Sequence, residues 1–346
     1  MKILVTGNYD PEYNRTQILL KGLRENENVT LTEFPISTFK NFDKTAFKKL
    51  ANKADFIYLP PFTHESVSKL KKLTNKPIVF DPLISKYLTK VFDYKQVAKY
   101  SPRAYKNYLK DKIPLNKSDL IIADTNEHKN YFAKTFKIDS NKIKVLPIGA
   151  DVTKFKPSNR PNNQVFNVGF YGGFIPLQGT KHIIEAAQIL QAETDIQFNL
   201  IGTGFEWKKM KQKVKELGLT NINFLGWVAY VELSAKINEF DICLGIFGDT
   251  PKADMVIPNK IYHYAALKKC IITKDTPAIK ELFTNQENIV LTPSNAQAIA
   301  EQILTLKSNA AFTDKIATAG HQLITKSYNQ QQIAEQFIDI LESYKA

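Results

Sequence analysis

The chain has 346 residues, 43% of them hydrophobic and 23% charged, with 47 Lys and Arg against 34 Asp and Glu for a net charge of +13. That length exceeds what one hydrophobic core usually fills, so two domains are expected, and the composition argues against a disordered or fibrous chain. No apolar run reaches the ~20 residues of a membrane span and no signal-type apolar stretch follows Met1–Thr6, so a cytoplasmic protein is expected.

Strand and helix patterns alternate along the chain. Residues 2–7 read as a strand, followed by a Gly7–Asn8 turn and a helix over 16–25. Short apolar strands follow at 55–59, 77–80 and 120–123, with helical patterning between them, and 144–147 closes the first half. Residues 1–150 carry 27 basic against 15 acidic residues, a net +12, whereas 151–346 carry only +1. Much of that excess lies over 86–117, where Lys86, Lys90, Lys95, Lys99, Arg103, Lys106, Lys110 and Lys112 interleave with six aromatic residues. Such a stretch suits an anionic membrane surface, at ~1 kcal/mol per basic residue with aromatics at headgroup level. Nucleic acid would satisfy the same charge, and a solvated helical face would need no partner. A membrane surface, not nucleic acid, is the partner expected here.

The polar segment 151–163, with Pro157 and Pro161, reads as a linker. A second series begins with strand 166–171, helix 180–191, strand 197–201, helix 206–217, strand 223–225 and a helix near 232–238. The stretch 241–272 is the most informative. It reads as a buried strand over 242–247, a polar loop, a helix opening near Asn259 and a second apolar strand. Cys243 and Cys270, the two cysteines, each lie inside an apolar run and are expected as buried reduced thiols. A loop between a parallel strand and a helix amino terminus collects anionic ligands, because unpaired N–H groups and the positive dipole end face the charge. Pro258 is expected to fix φ at the helix start and Asn259 to cap it, with Lys252 and Lys260 bringing positive charge. The final stretch 329–344 is helical, with one apolar stripe through Ile333, Phe337, Ile340, Leu341 and Tyr344 expected to pack on the amino-terminal domain. Alternation of this kind argues for parallel sheets with covering helices.

Several motifs resemble glycosyltransferases of family 4 with the GT-B fold. They are Ser118-Asp-Leu-Ile-Ile-Ala-Asp-Thr running to Lys142-Ile-Lys-Val-Leu-Pro-Ile-Gly-Ala-Asp151, then Val168-Gly-Phe-Tyr-Gly-Gly-Phe-Ile-Pro-Leu-Gln-Gly179, then Pro258-Asn-Lys-Ile-Tyr262. Asn199-Leu-Ile-Gly-Thr-Gly204 and Phe224-Leu-Gly-Trp227 fall between them in family order. The resemblance implies two Rossmann-like α/β domains facing across a cleft: 1–155 on the acceptor side, completed by a C-terminal helix at about 329–346, and 156–328 binding a nucleotide-sugar. It also implies retention of configuration without an essential metal or cofactor, on a sugar or lipid-linked acceptor. A membrane-associated lipid-linked sugar would make sense of the basic half, which suggests polysaccharide or glycolipid assembly and peripheral attachment to the cell membrane's inner face.

The resemblance likewise assigns residues. Gly172, Gly173, Gln178, Gly202, Gly204, Trp227, Asp249, Val256, Ile257, Pro258, Asn259 and His263 fall on the donor side, and Asp81, Lys252 and Lys260 on the catalytic side. Family members often carry an Arg and a Lys, five apart, on the donor diphosphate, and two Glu, eight apart, near the sugar and ribose. This chain has Gly173, Gln178, Met255 and His263 there, a pattern similar to a branch with a Phe-Ile-Pro-Leu-Gln-Gly loop. Lys252 and Lys260 are then the nearest replacements for the missing cations. Plain readings stand beside these: a packed helix residue for His263, turn glycines for 172 and 173, a loop for the weak Gly202-x-Gly204 signal, a turn former for Asp81. His64, His128, His182 and His321 share no ligand spacing, and no metal site is expected. The expected activity is sugar transfer from a nucleotide-sugar to an acceptor. A non-catalytic GT-B subunit, or a sugar-nucleotide epimerase, remains the alternative.

Overall fold

The computed structural model describes residues 1–158 and 165–345. Pro157 is therefore described, and Pro161 lies outside the described residues. The chain forms two compact units, one from Met1–Gly149 completed by the C-terminal helix from Gln330, the other from Ala150–Asn329.

In the first unit, strands β1 (Lys2–Gly7), β2 (Thr30–Pro35), β3 (Phe56–Leu59), β4 (Ile78–Phe80), β5 (Leu120–Ala123) and β6 (Ile143–Val145) form a parallel sheet in the order β2-β1-β3-β4-β5-β6. The inner strands are covered on both faces, which is why they read as unbroken apolar runs: every residue of β3, β4 and β5 is buried. β2 was not anticipated, because it lies on the sheet edge with no buried residue and so carries no such run. Helices α1 (Asn14–Glu25), α2 (Lys44–Lys53), α3 (His64–Leu70), α4 (Pro102–Lys117) and α5 (Asn126–Phe136) cover the sheet. Local chemistry sets their starts. Asp43 accepts from the Thr45 and Ala46 amides at 2.9 Å, and Ser101 accepts from Ala104 N with Pro102 behind it.

In the second unit, β7 (Phe166–Tyr171), β8 (Ile196–Ile201), β9 (Ile222–Gly226), β10 (Ile242–Leu244), β11 (Cys270–Lys274) and β12 (Val290–Thr292) form a parallel sheet in the order β12-β11-β10-β7-β8-β9. Helices α6 (Thr180–Ile189), α7 (Trp207–Glu216), α8 (Tyr230–Asn238), α9 (Asn259–Ala266), α10 (Ala296–Ser308) and α11 (Ala310–Ser327) accompany it. The strand order reverses between β7 and β10, and in open α/β sheets the crevice outside the carboxyl ends at such a reversal is where ligands bind. Cys243 and Cys270 are free and buried on the adjacent strands β10 and β11. The expected strand over 242–247 stops at Leu244, where Ile246 N instead donates to the Thr273 hydroxyl.

The C-terminal helix α12 (Gln330–Lys345) packs on α1, where Gly22 lies against Gln330 and Ala334. Ile333, Phe337 and Leu341 are buried and Phe337 meets the Tyr58 ring edge-on at 5.2 Å, while Tyr344 stays exposed. Among the described residues no helix is long and apolar enough to cross a membrane.

Candidate functional site

The reversal in the second unit gathers two loops. The first leaves β7 at Gly172 and runs through Gln178 to α6; the second leaves β10 and runs to α9. They clasp each other by backbone, Phe247 N donating to Gln178 O at 3.0 Å and Gly248 N to Leu177 O at 3.2 Å. Beneath the clasp, Leu177, Ile246, Ala253 and Val256 form a small apolar cluster that Ile175 and Met255 flank. The loop expected to be polar is thus anchored by its own apolar residues, and Ile257 and Lys252 are buried with it.

α9 starts at an open amino terminus. Its N-cap is Pro258, which has no side-chain acceptor, and Asn259 is the first helical residue, so the capping expected of Asn259 does not occur. The first-turn amides of Asn259 and Lys260 point out of the helix without an intrahelical partner, and Ile261 N turns back to Pro258 O at 3.0 Å. An open end of this kind favours an anion.

Lys260 lies directly behind that turn and is only 3% exposed. Its Nζ donates to Gln178 Oε1 at 2.6 Å and to Gly245 O at 3.3 Å, and sits 3.5 Å from the centre of the Phe170 ring. Burial holds its pKa well below the ordinary lysine value, and no carboxylate offsets that loss. A Cβ added at Gly172 would come 3.0 Å from the same Nζ, so the ammonium faces the β7 loop. Gln178 and Lys260, singled out separately in the sequence, meet here.

The glycines separate into two groups. A Cβ at Gly202 would lie 2.0 Å from Gly172 O, and one at Gly204 would lie 2.6 Å from Phe174 N, both with φ above +120°. These two let the β8 loop press against the β7 loop. Gly173 meets nothing closer than 3.8 Å and leaves open space beside Thr203.

His263 is 1% exposed. Its ring stacks on Phe155 at 3.8 Å and its Nδ1 lies 2.5 Å from the Tyr171 hydroxyl, while Tyr171 N donates to the Tyr264 hydroxyl at 2.7 Å. Burial pushes the imidazole down to about 3, so it is neutral at physiological pH. The contacts are those of a packed helix residue fixing Tyr171 at the end of β7. Asp249 is exposed and accepts from His182 Nε2 at 3.0 Å, tying the β10 loop to α6. Trp227, just beyond β9, is 74% exposed.

Asp81 belongs to the first unit, at the carboxyl end of β4. It is buried, accepts from Arg15 Nε at 2.5 Å and from the Tyr58 hydroxyl at 3.2 Å, and Arg15 also reaches Leu146 O at 3.1 Å. Burial pushes the Asp81 carboxyl above its ordinary value against the opposing pull of Arg15, whose guanidinium stays protonated. Sequence reasoning missed Arg15 and Tyr171. The signal for Arg15 was there, as one of four arginines in a chain of 47 basic residues, in the first turn after β1. Tyr171 had no signal beyond ending an apolar strand.

Residues 180–339 match the family model described as glycosyl transferase-like. No curated protein matches the sequence. Among solved structures, the chain resembles Anabaena HepE in complex with UDP and glucose, at a TM-score of 0.75 and 16% identity over 99% of this chain and 100% of that one. Sucrose-phosphate synthase of Thermosynechococcus elongatus gives 0.76 and 14% over 99% and 98%. A glycosyltransferase of Rickettsia africae gives 0.69 and 17% over 99% and 98%. The fold is GT-B.

Proposed function

We propose that this chain is a glycosyltransferase that moves a sugar from a nucleotide-sugar to an acceptor. The observation that carries the reading is the pairing of a glycosyl transferase-like match over 180–339 with an open helix terminus, backed by the buried Lys260 amine, at the strand-order reversal of the second unit. HepE has been crystallised with UDP-glucose as well as with UDP and glucose, and UDP-sugars are accordingly the first donors to try.

In this reading the donor's diphosphate lies at the amino terminus of α9. The amides of Asn259 and Lys260 donate to its oxygens, and the Lys260 ammonium reaches them past Gly172. Cleavage of the bond between the sugar's anomeric carbon and the diphosphate leaves the bonding pair on oxygen, and groups already aimed at that oxygen lower the barrier because they need no reorganisation. Gln178 holds Lys260 in place, so a cation that relatives carry on the β7 loop is supplied here from α9. Lys252, buried in the β10 loop, is the second cation this reading calls on, and Asp81 stands on the acceptor side. Retention of configuration, independence from metal, and membership of family 4 belong to the same proposal, as does work on polysaccharide or glycolipid. The basic and aromatic segment 86–117 supports docking on an anionic membrane, where a lipid-linked acceptor would be presented.

Incubation with a panel of UDP- and GDP-sugars, with free nucleotide and sugar followed by chromatography, tests the reading. Nucleotide release that Lys260→Met abolishes is the expected outcome. Binding without release would make the chain a non-catalytic GT-B subunit, and conversion of the donor to its epimer with no acceptor present would make it an epimerase.

A further inference from the structure

Between α3 and α4, in the first unit, lies a cavity of about 360 Å³. Four lysines line it, Lys86, Lys106, Lys110 and Lys69, the last with its ammonium 4.1 Å over the Phe39 ring, against a single carboxylate, Glu65. Its apolar lining is Leu109, Ile113 and Pro114. Ile113 is an exposed β-branched side chain on an otherwise basic helix face. The back wall holds one acid, Asp111, whose charge also acts on Lys86. His64 is buried and pushed down to about 3, hence neutral, and Asp111 behind it is turned inward, accepting from the Ser85 hydroxyl and from the Lys86 and Tyr87 amides. Lys86 is half-buried, and desolvation lowers its pKa, with Lys110 and Lys90 adding to the fall and Glu65 and Asp111 opposing it. Four lysines thus line an apolar hollow with Glu65 and Asp111 as the acids that act on Lys86.

A solvated charged face requires none of this. Charge alone would leave lysines spread over polar surface, and an apolar cavity alone would not ring itself with cations. Together they match a ligand with a phosphate at one end and a hydrocarbon chain at the other. We propose that this cavity binds the phosphate end of an amphiphilic lipid phosphate, the lysines pairing with phosphate oxygens and the chain lying along Leu109, Ile113 and Pro114. That ligand would be the acceptor, or the lipid part of it; this assignment rests on the glycosyltransferase reading, whereas the binding itself does not.

The test uses the full chain and dodecyl phosphate below its micelle concentration, with binding followed by isothermal titration. Saturable binding is expected, at least about tenfold tighter than inorganic phosphate, with dodecyl maltoside showing none. The double variant Lys106→Ala/Lys110→Ala, altered only at exposed positions, should lose at least about tenfold in affinity, as expected from losing charged hydrogen bonds, and Ile113→Ser should lose affinity for dodecyl phosphate but not for inorganic phosphate. Equal binding by the lysine variant, equal binding of the neutral detergent, or inorganic phosphate as tight as dodecyl phosphate would each overturn the proposal. Donor cleavage is measured separately: alkyl-phosphate binding lost with nucleotide release intact sinks the cavity alone, and the reverse sinks the glycosyltransferase reading alone.

Discussion

Lys260 is the residue on which most depends, and its burial gives it a pH signature. Its folded pKa is lowered well below 10.5, so between that value and about 10.5 the unfolded chain holds a proton that the folded chain does not. Stability therefore rises with pH through that window, by up to about 1.4 kcal/mol per pH unit, and falls as the pH drops. Lys260→Met should flatten the curve in urea melts taken at several pH values, and should weaken nucleotide-diphosphate binding at least about tenfold. An unchanged slope would mean that the ammonium is not desolvated as described. His64 and His263 give the complementary effect in acid. Both are pushed down by burial to about 3, so stability rises with pH from about 3 to 6.5 and is lost on acidification through the same window, again at about 1.4 kcal/mol per unit for each histidine. His263→Phe should make the second unit less acid-sensitive and leave the first unit's response unaltered, which histidine-resolved NMR titration can follow. The glycines add a steric contrast. Gly204→Ala puts a Cβ 2.6 Å from Phe174 N at φ +152° and should cost about 2 kcal/mol or more; Gly173→Ala, with its nearest neighbour at 3.8 Å, should fall within about 0.5 kcal/mol of the parent.

At the scale of elements, α9 and the β7 loop form one device in two pieces. The cation sits on the helix and its acceptor on the loop, Lys260 Nζ to Gln178 Oε1 at 2.6 Å. A reciprocal exchange, Gln178→Lys with Lys260→Gln, keeps one cation and one amide in the same contact. It should recover at least about half of the binding free energy that Lys260→Gln alone loses, a coupling of about 1 kcal/mol or more of the kind found for groups in one hydrogen-bond network. Additive losses by titration would show that the two residues act independently. α4 is the other element with a measurable consequence. Tyr105 and Ile113 are exposed on it beside Lys106 and Lys110. Co-sedimentation with liposomes should rise with anionic lipid content and fall with added salt, since exposed charges are screened over about 8 Å at physiological ionic strength. Binding indifferent to both leaves α4 a solvated face.

At the scale of the whole chain, the first unit is discontinuous and its last helix holds it together. Ile333, Phe337 and Leu341 are buried, and each contributes about 1.5–3 kcal/mol by burial, a sum comparable to a domain's entire stability. Deleting residues 330–346 should therefore abolish cooperative unfolding of the first unit, monitored by hydrogen exchange, while protection in β7–β12 persists. Much of the alternating α/β architecture was legible in the sequence, because parallel strands covered on both faces must be apolar throughout and the helices between them must carry period-3.6 stripes; β5, β7 and the helix from Gln330 stand out for that reason. Two of the four edge strands, β6 and β9, were legible, but β2 is half in water and short β12 follows a polar turn, and neither of these carries a distinctive run. The candidate site was half legible. The sequence determined that Lys260 opens a helix after a strand and that glycines crowd the β7 and β8 loops, since local chemistry writes both. Only the tertiary structure decided that Gln178, 82 positions away, holds that lysine, that Pro258 leaves the helix uncapped, that His263 is enclosed by Phe155 and Tyr171, and that Asp81 is bound by Arg15. Those partners come from strands and loops brought together by sheet order, and side-chain pairing across a sheet edge leaves no periodic trace in a single sequence.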